Sequence, residues 1–215
     1  MPNLYPNLNA EKALIWRIVH RDNLSWLFAH GLHCRSAVEQ DPNYLNIGNV
    51  ELIDKRAHRV VTLAPGGTLS DYVPFYFTPF SVMMMNIRSG RSVKQRANEE
   101  IVILVSSVHR VREMGIPILF TDAHAYPPAT RFFDDPTSLG EIDWGILQAR
   151  DFKRDLDDPR KPERYQAEAL VHRHLPVQAL LGIVCYTDAL KQDFENKIKG
   201  LGLQLPVHVR TGWYF

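Results

Sequence analysis

A chain of 215 residues with 45% hydrophobic and 23% charged side chains has the length and composition of one soluble domain with a substantial core. Its formal net charge of +1 excludes a general, non-specific coater of nucleic acid or anionic membrane, although a local basic patch on a neutral protein still holds phosphates. Two cysteines, Cys34 and Cys185, are too few for a disulfide framework and lie in no metal-ligand spacing, which fits a reducing, cytoplasmic setting and predicts no metal.

The opening Met1-Pro-Asn-Leu-Tyr-Pro lacks the charged start and apolar run of a signal peptide, and no later stretch approaches the ~20 apolar residues of a membrane helix. Asn9 is placed to cap a helical piece reaching Trp16. A short buried strand over Ile15–Val19, ending at His20, is the preferred reading of the same residues. A helix from Asp22 or Asn23 to Ala29 follows, with Leu24, Leu27 and Phe28 as its apolar face and Gly31 as its stop. His20-Arg21-Asp22-Asn23 therefore stands at a strand-to-helix junction, where unpaired amides favour anions or polar ligand groups. Simple capping by Asp22 or Asn23, and a satisfied core histidine at 20, are equally open.

Asp41-Pro42-Asn43-Tyr44 reads as a turn, and Val50 to Arg59 as a short helix or wrapped loop with Lys55, Arg56 and Arg59 outward. Arg56 and Arg59 either pair with a phosphate or carboxylate or stay solvated. Val60–Leu63 is a strand candidate, and Pro65-Gly66-Gly67-Thr68 a turn whose double glycine is too short for a phosphate loop. Tyr72–Phe77 is aromatic and β-prone, with Pro74 marking an edge or a strand start. Met83, Met84 and Met85 suit adaptable core filling more than a binding groove.

Glu100 to Val105 is a buried strand, Val108 to Met114 a turn or two of helix closing at Gly115, and Ile116 to Phe120 another strand. Thr121-Asp122-Ala123-His124-Ala125 lies just past that strand's end, a common place for functional side chains, and His124 is the histidine to test first. Its alternative is a plain strand-end cap. From Phe132 a long, mostly irregular connection carries one brief helix within Leu139–Trp144. The alternating-charge run Asp151–Arg164, with Pro159 and Pro162, then predicts a solvated, mobile loop. Loops of this length are lids or binding segments when they are not disordered.

Glu168 stands between that run and the apolar Leu170, Val171 and Leu175. It is either a carboxylate presented to a substrate from a rigid scaffold or one more solvated acid on a charged face. A strand over Ala179–Tyr186, a polar helix over Asp188–Lys199 and a strand over Pro206–Arg210 close the chain. Short strands mixed irregularly with helices argue for α+β over alternating βαβ units.

Several segments resemble one family when taken in order: Ile18-Val19-His20-Arg21-Asp22-Asn23-Leu24, then Tyr44 to Gly48 with Leu52-Ile53 and Arg56, then Val73 to Pro79. Thr121 to Ala125, Gln166-Ala167-Glu168 leading into Leu170-Val171, and Trp213-Tyr214-Phe215 continue the series. The chain is similar through these to the DarT family, toxins of DarT–DarG type toxin–antitoxin systems that transfer ADP-ribose from NAD to a base of single-stranded DNA. The likeness runs from about residue 15 to the C-terminus.

The resemblance implies a single domain over 1–215: an α+β, PARP-like ADP-ribosyltransferase fold with a split antiparallel β-sheet core, peripheral helices and an NAD cleft. By position it assigns His20, Arg21, Asp22 and Asn23 to the nicotinamide end of NAD, and about 40–58 to an NAD-binding element ending at Arg56. About 124–168 becomes the substrate-recognition loop, His124 a substrate contact, Glu168 the catalytic glutamate and Arg56 its functional partner. Cleaving the nicotinamide–ribose bond creates an oxocarbenium-like centre of the kind glycosidases meet with carboxylates, and a fixed arginine suits the charges around it. A splayed single-stranded base fits such a site better than a stacked one.

The pattern departs at Pro79-Phe80-Ser81-Val82-Met83, where Phe80 and Val82 replace an arginine and a proline common in relatives. The resemblance puts this region, with Phe80 and Met84, against the nucleic acid, so the base stays open between guanine and thymine, with a lean to guanine. It also implies an antitoxin partner with a macrodomain or related hydrolase fold. Transfer to RNA or protein by the same site, or a non-catalytic NAD- or nucleic-acid-binding module of the same fold, remain alternatives.

Overall fold

The computed structural model describes residues 5–215, so Met1–Leu4, on which part of the signal-peptide expectation rests, lie outside it. Before the first strand Asn9 caps only a turn, its Oδ1 accepting from the Lys12 amide at 2.9 Å. The strand reading of the following residues holds: β1 (Leu14–His20) buries Ile15, Trp16 and Val19. A 3-10 turn over Arg21–Asn23 leads into α1 (Leu24–His30), which buries Leu24, Leu27 and Phe28. Gly31 ends it at φ 80°, where an added Cβ would lie 2.6 Å from the Leu175 carbonyl, so both conformation and space require glycine.

In chain order there follow β2 (Leu32–His33), α2 (Val50–Ala57), β3 (Tyr72–Tyr76), α3 (Val82–Ser89), β4 (Ile101–Ser107), α4 (Val108–Glu113), β5 (Ile118–Thr121) and β6 (Phe132–Phe133). The remainder is α5 (Trp144–Ala149), α6 (Lys161–Arg164), β7 (Glu168–His172), β8 (His174–Leu175), β9 (Gly182–Cys185), α7 (Asp188–Gly200) and β10 (Val207–Val209). Eight strands form one sheet in the order β10-β9-β4-β1-β3-β7-β5-β6, antiparallel except for the β9–β10 pair, while β2 and β8 form a small ribbon.

The sheet is nearly divided in the middle. β1 pairs along its whole length with β4, but meets β3 only at Trp16↔Tyr76. Pro74 explains part of this. Its carbonyl points towards β1 and accepts from Arg17 Nη1 at 2.8 Å, and on the same side its nitrogen has no hydrogen to donate. The ladder therefore cannot close there, and Pro74 does mark an edge, one that faces an internal opening. On its other side β3 pairs fully with β7, which aligns Tyr76 with Glu168.

Three expectations need correction. Val60–Leu63 makes no strand; a single bridge, Val60↔Thr68, is all that forms. The connection after Phe132 is largely structured, with β6 pairing against β5, a 3-10 stretch over Pro136–Glu141 and α5 capped by Asp143. The charged run Asp151–Arg164 is likewise folded onto itself. Lys161 is buried between Asp151 at 3.0 Å and Asp155 at 3.2 Å, and Arg164 grips Asp158 with two hydrogen bonds and Asp143 with a third. Lys153, Arg154 and Asp157 stay exposed and without an ion pair among the described residues, so the run is part folded, part solvated.

Candidate active site

The opening between β1 and β3 widens into a cleft of about 410 Å³, lined by Arg17 and Val19 of β1, Trp26 and Leu27 of α1, and Val73 and Tyr76 of β3. Along another side runs α2, which buries no residue fully and turns Leu52, Ile53 and Arg56 to the cleft. Its start is set by Asn49, whose Oδ1 accepts from the Leu52 amide at 2.9 Å. His124 and Glu168 complete the lining. A mostly apolar concavity of this size, with a few convergent polar groups, is what a nucleotide-sized ligand requires.

Glu168 is 2% exposed, which overturns the solvated-acid reading. Burial alone would push its carboxyl pKa up. The Arg56 charge beside it, two hydrogen bonds from Arg56 and one from the Ala125 amide overcome that penalty and hold it below the usual carboxylate range. Arg56 Nη1 donates to Oε1 at 2.7 Å, Arg56 Nη2 to Oε2 at 2.6 Å, and the Ala125 N–H to Oε1 at 2.9 Å. The backbone beneath is pinned too: the Glu168 amide donates to Thr121 Oγ1 at 3.1 Å, and that hydroxyl donates to the Ala123 carbonyl at 2.6 Å. Reciprocally, burial works against the Arg56 charge, but Glu168 more than offsets it and raises the arginine pKa.

His124 approaches both members of the pair, its Nε2 lying 3.3 Å from Arg56 Nη1 and 3.8 Å from Glu168 Oε1. Burial, helped by the neighbouring guanidinium and opposed by Glu168, lowers its pKa, so the ring is neutral at pH 7. Its Nδ1 lies 3.3 Å from the Tyr126 amide and its Nε2 faces Arg56 Nη1, both of them donors, and a neutral ring accepts at only one of its two nitrogens. Tyr76, opposite Glu168 in the sheet, has its phenol pushed up to about 12 by burial and then by the carboxylate charge, so it stays a neutral donor.

The remaining candidates divide. Of His20–Asn23 only Asn23 lines the cleft, where it clamps the loop before α2: its Nδ2 donates to the Leu45 carbonyl at 3.0 Å and its Oδ1 accepts from the Leu45 amide at 2.9 Å. His20 is buried outside the cleft, accepting from the Asp22 amide at Nδ1 and facing Glu100 at Nε2, 3.3 Å away; Arg21 and Asp22 do not line the cleft either. Phe80 and Met84 cannot touch a nucleic acid in this structure, being 0% and 1% exposed. Phe80 is covered by the Arg150 guanidinium, 3.9 Å above its ring, and by Tyr5 at 4.4 Å, while Met84 fills the core and its neighbour Met83 reaches the cleft. Arg17, Trp26 and Tyr76 were not singled out as site residues. Only alternation along β1, which puts Arg17 on the face opposite Trp16, signals one of them in the sequence.

Among the described residues no group of three or more His, Cys, Asp or Glu is placed to hold a metal, and no helix is long and apolar enough to cross a membrane.

A sheet split over a cleft, with a buried glutamate on the second strand beyond the split, is the arrangement of an ADP-ribosyltransferase fold. The structure superimposes on Thermus sp. 2.9 DarT in complex with ADP-ribosylated ssDNA with a TM-score of 0.87 and 32% identity, covering 100% of both chains. The complex of the same Thermus protein with NAD+ gives 0.83 at 32% identity, covering 98% of this chain and 100% of that one. A DNA ADP-ribosyl transferase of Escherichia coli O127:H6 (strain E2348/69 / EPEC) is 55% identical over 97% of this chain and 96% of its own length. The family model described as "ssDNA thymidine ADP-ribosyltransferase, DarT" matches residues 16–215. The chain belongs to the DarT family.

Proposed function

We propose that this protein transfers ADP-ribose from NAD to a base of single-stranded DNA, with Glu168 and Arg56 as the catalytic pair. The observation that carries the reading is the buried, ionised Glu168, held in one orientation at the side of a nucleotide-sized cleft. Family membership supplies the substrate class.

In this reading the C1′–nitrogen bond to nicotinamide breaks and its electron pair leaves with the pyridine nitrogen. The cationic ribose carbon that develops is stabilised by the Glu168 carboxylate, whose fixed geometry needs no reorganisation. A base nitrogen attacks C1′ from the opposite face, and its proton passes to Glu168 and on to solvent. Arg56 keeps the carboxylate aimed and ionised, neutral His124 positions the incoming base, and Asn23 braces the loop against the bound nucleotide. His20, Arg21 and Asp22 act, in this account, by setting the strand-to-helix junction on which Asn23 sits.

The acceptor base is thymine. The family description names thymidine, and this supports thymine over the lean towards guanine. A cytoplasmic toxin whose modification is removed by an antitoxin with a macrodomain or related hydrolase fold completes the proposal.

The test is incubation with labelled NAD and a panel of oligonucleotides differing in one central base, alongside RNA and protein acceptors. Label on thymine-containing single strands, with equimolar nicotinamide release, is the expected outcome. Label on protein or RNA alone would overturn the DNA reading, and label on guanine alone would overturn the choice of base.

A further inference from the structure

From Tyr72 to Asn98 the chain contains no acidic residue, and the end of this stretch carries Arg88, Arg91, Lys94 and Arg96. Arg96 is already used, its Nη1 donating to Glu100 Oε1 at 2.9 Å. Arg88, Arg91 and Lys94 are exposed, and among the described residues none of them pairs with a carboxylate side chain. Arg88 spends its Nε on a main-chain oxygen of the last residue, Phe215, at 3.2 Å. In a protein of net charge +1 such a patch is a local field and not part of a general excess.

Its place relative to the cleft is fixed at two points. Met83, on the same helix as Arg88, lines the cleft; five residues of helix put Arg88 roughly 8 Å further along the axis. The loop after α3 is held against the start of α2 by Asn49, whose Nδ2 donates to the Ser92 carbonyl at 3.3 Å while its Oδ1 caps the helix. Arg91 and Lys94 flank Ser92, are exposed and lie outside the cleft lining.

We propose that Arg88, Arg91 and Lys94 form a track for the phosphates of the single-stranded DNA beside the nucleotide whose base enters the cleft. NAD keeps its own two phosphates within the cleft, whereas a DNA strand must leave it, carrying a negative charge at every step. Contacts of this type set position and register and carry no sequence information. The inference rests on the DNA-acceptor reading above.

The experiment compares the parent with an Arg91→Ala/Lys94→Ala double variant; both sites are exposed, and neither side chain has a hydrogen-bonding partner among the described residues to lose. Affinity for a fluorescent oligothymidine is measured across a salt series, and affinity for NAD by calorimetry. The expected result is weaker DNA binding by a similar factor for every oligonucleotide sequence, with the salt slope reduced by about 0.7 per lost phosphate contact, about 1.4 for both. An unchanged slope overturns the track, and so does a loss confined to NAD affinity. If the parent labels DNA normally while the variant's slope is unchanged, the track alone fails; a parent that labels no DNA overturns the underlying reading as well.

Discussion

Arg56 and Glu168, 112 residues apart in the chain, meet through two parallel hydrogen bonds of 2.7 and 2.6 Å inside the fold. This fork-to-fork geometry fixes both planes at once, which a lysine could not do. It also makes Glu168 a structural as well as a chemical group. From the sequence, Glu168→Ala would be expected to spare stability; the burial predicts otherwise. Removing the carboxylate leaves the Arg56 guanidinium buried and unpaired, a loss of about 3–5 kcal/mol. Glu168→Gln, which keeps the shape and one acceptor, should lose transfer as completely at a smaller cost. Denaturant unfolding of the two variants, beside a transfer assay, checks both statements.

Removing the other partner should reverse a pH dependence. In the parent, burial is outweighed by Arg56, and the Glu168 pKa lies below its ordinary 4.5. The pair's contribution to stability is therefore fully present above about pH 4.5 and is lost as pH falls through the lowered folded-state value. In Arg56→Ala burial acts with little opposition and the folded pKa rises above 4.5, so stability is now lost as pH climbs from 4.5 through that raised value. Once other groups are subtracted, the parent's melting temperature should fall only as pH drops below about 4.5, whereas the variant's should fall as pH rises above it. Parallel slopes would mean that Arg56 does not control the carboxylate.

His124 gives a second pH signature. Burial lowers its pKa from 6.5, so the folded state binds fewer protons than the unfolded chain just below that value. Its contribution is complete above about pH 6.5 and is lost as pH falls through the lowered folded value. Subtracting the stability profile of His124→Gln from that of the parent should isolate this loss. An NMR titration of the ring should place its midpoint below 6.5.

Local pattern revealed those parts of the fold whose cause is local. Apolar runs placed β1 and β4, the Leu24–Leu27–Phe28 face placed α1, and Pro74 announced an interrupted ladder. The site was harder to read because its cause is not local. Around Glu168 the chain carries only a charged run and a short strand, and what keeps that acid ionised inside the protein arrives from α2 and from the Ala125 amide. Phe80 misled for the same reason. The resemblance sets it against the DNA, whereas Arg150 and Tyr5, from distant segments, cover it.

That burial yields its own prediction. Phe80→Ala should cost about 3–5 kcal/mol by opening a cavity under Arg150. Assayed well below its melting temperature, the variant should modify the same base as the parent. A change of base in the oligonucleotide panel would restore Phe80 to the DNA-facing surface.

The charged run before Glu168 offers the last test, because apart from Phe152, packed on Tyr165 and Phe215, its order depends on a few ion pairs. Arg164 is the centre. It donates twice to Asp158, at 2.9 and 2.6 Å, and once to Asp143 at 3.1 Å, the acid that also caps α5. With the arginine 30% exposed, the whole set contributes only about 1 kcal/mol after solvent screening. That suffices to hold a segment with so little else to bury. Arg164→Ala should therefore raise the open fraction of residues 151–160 roughly fivefold while global unfolding shifts little. Trypsin reports it directly, since Lys153, Arg154 and Arg160 lie in the run and its cleavage follows the open population when reclosing is fast. Cleavage at those sites at the parent's rate would show that the run is held by something other than Arg164.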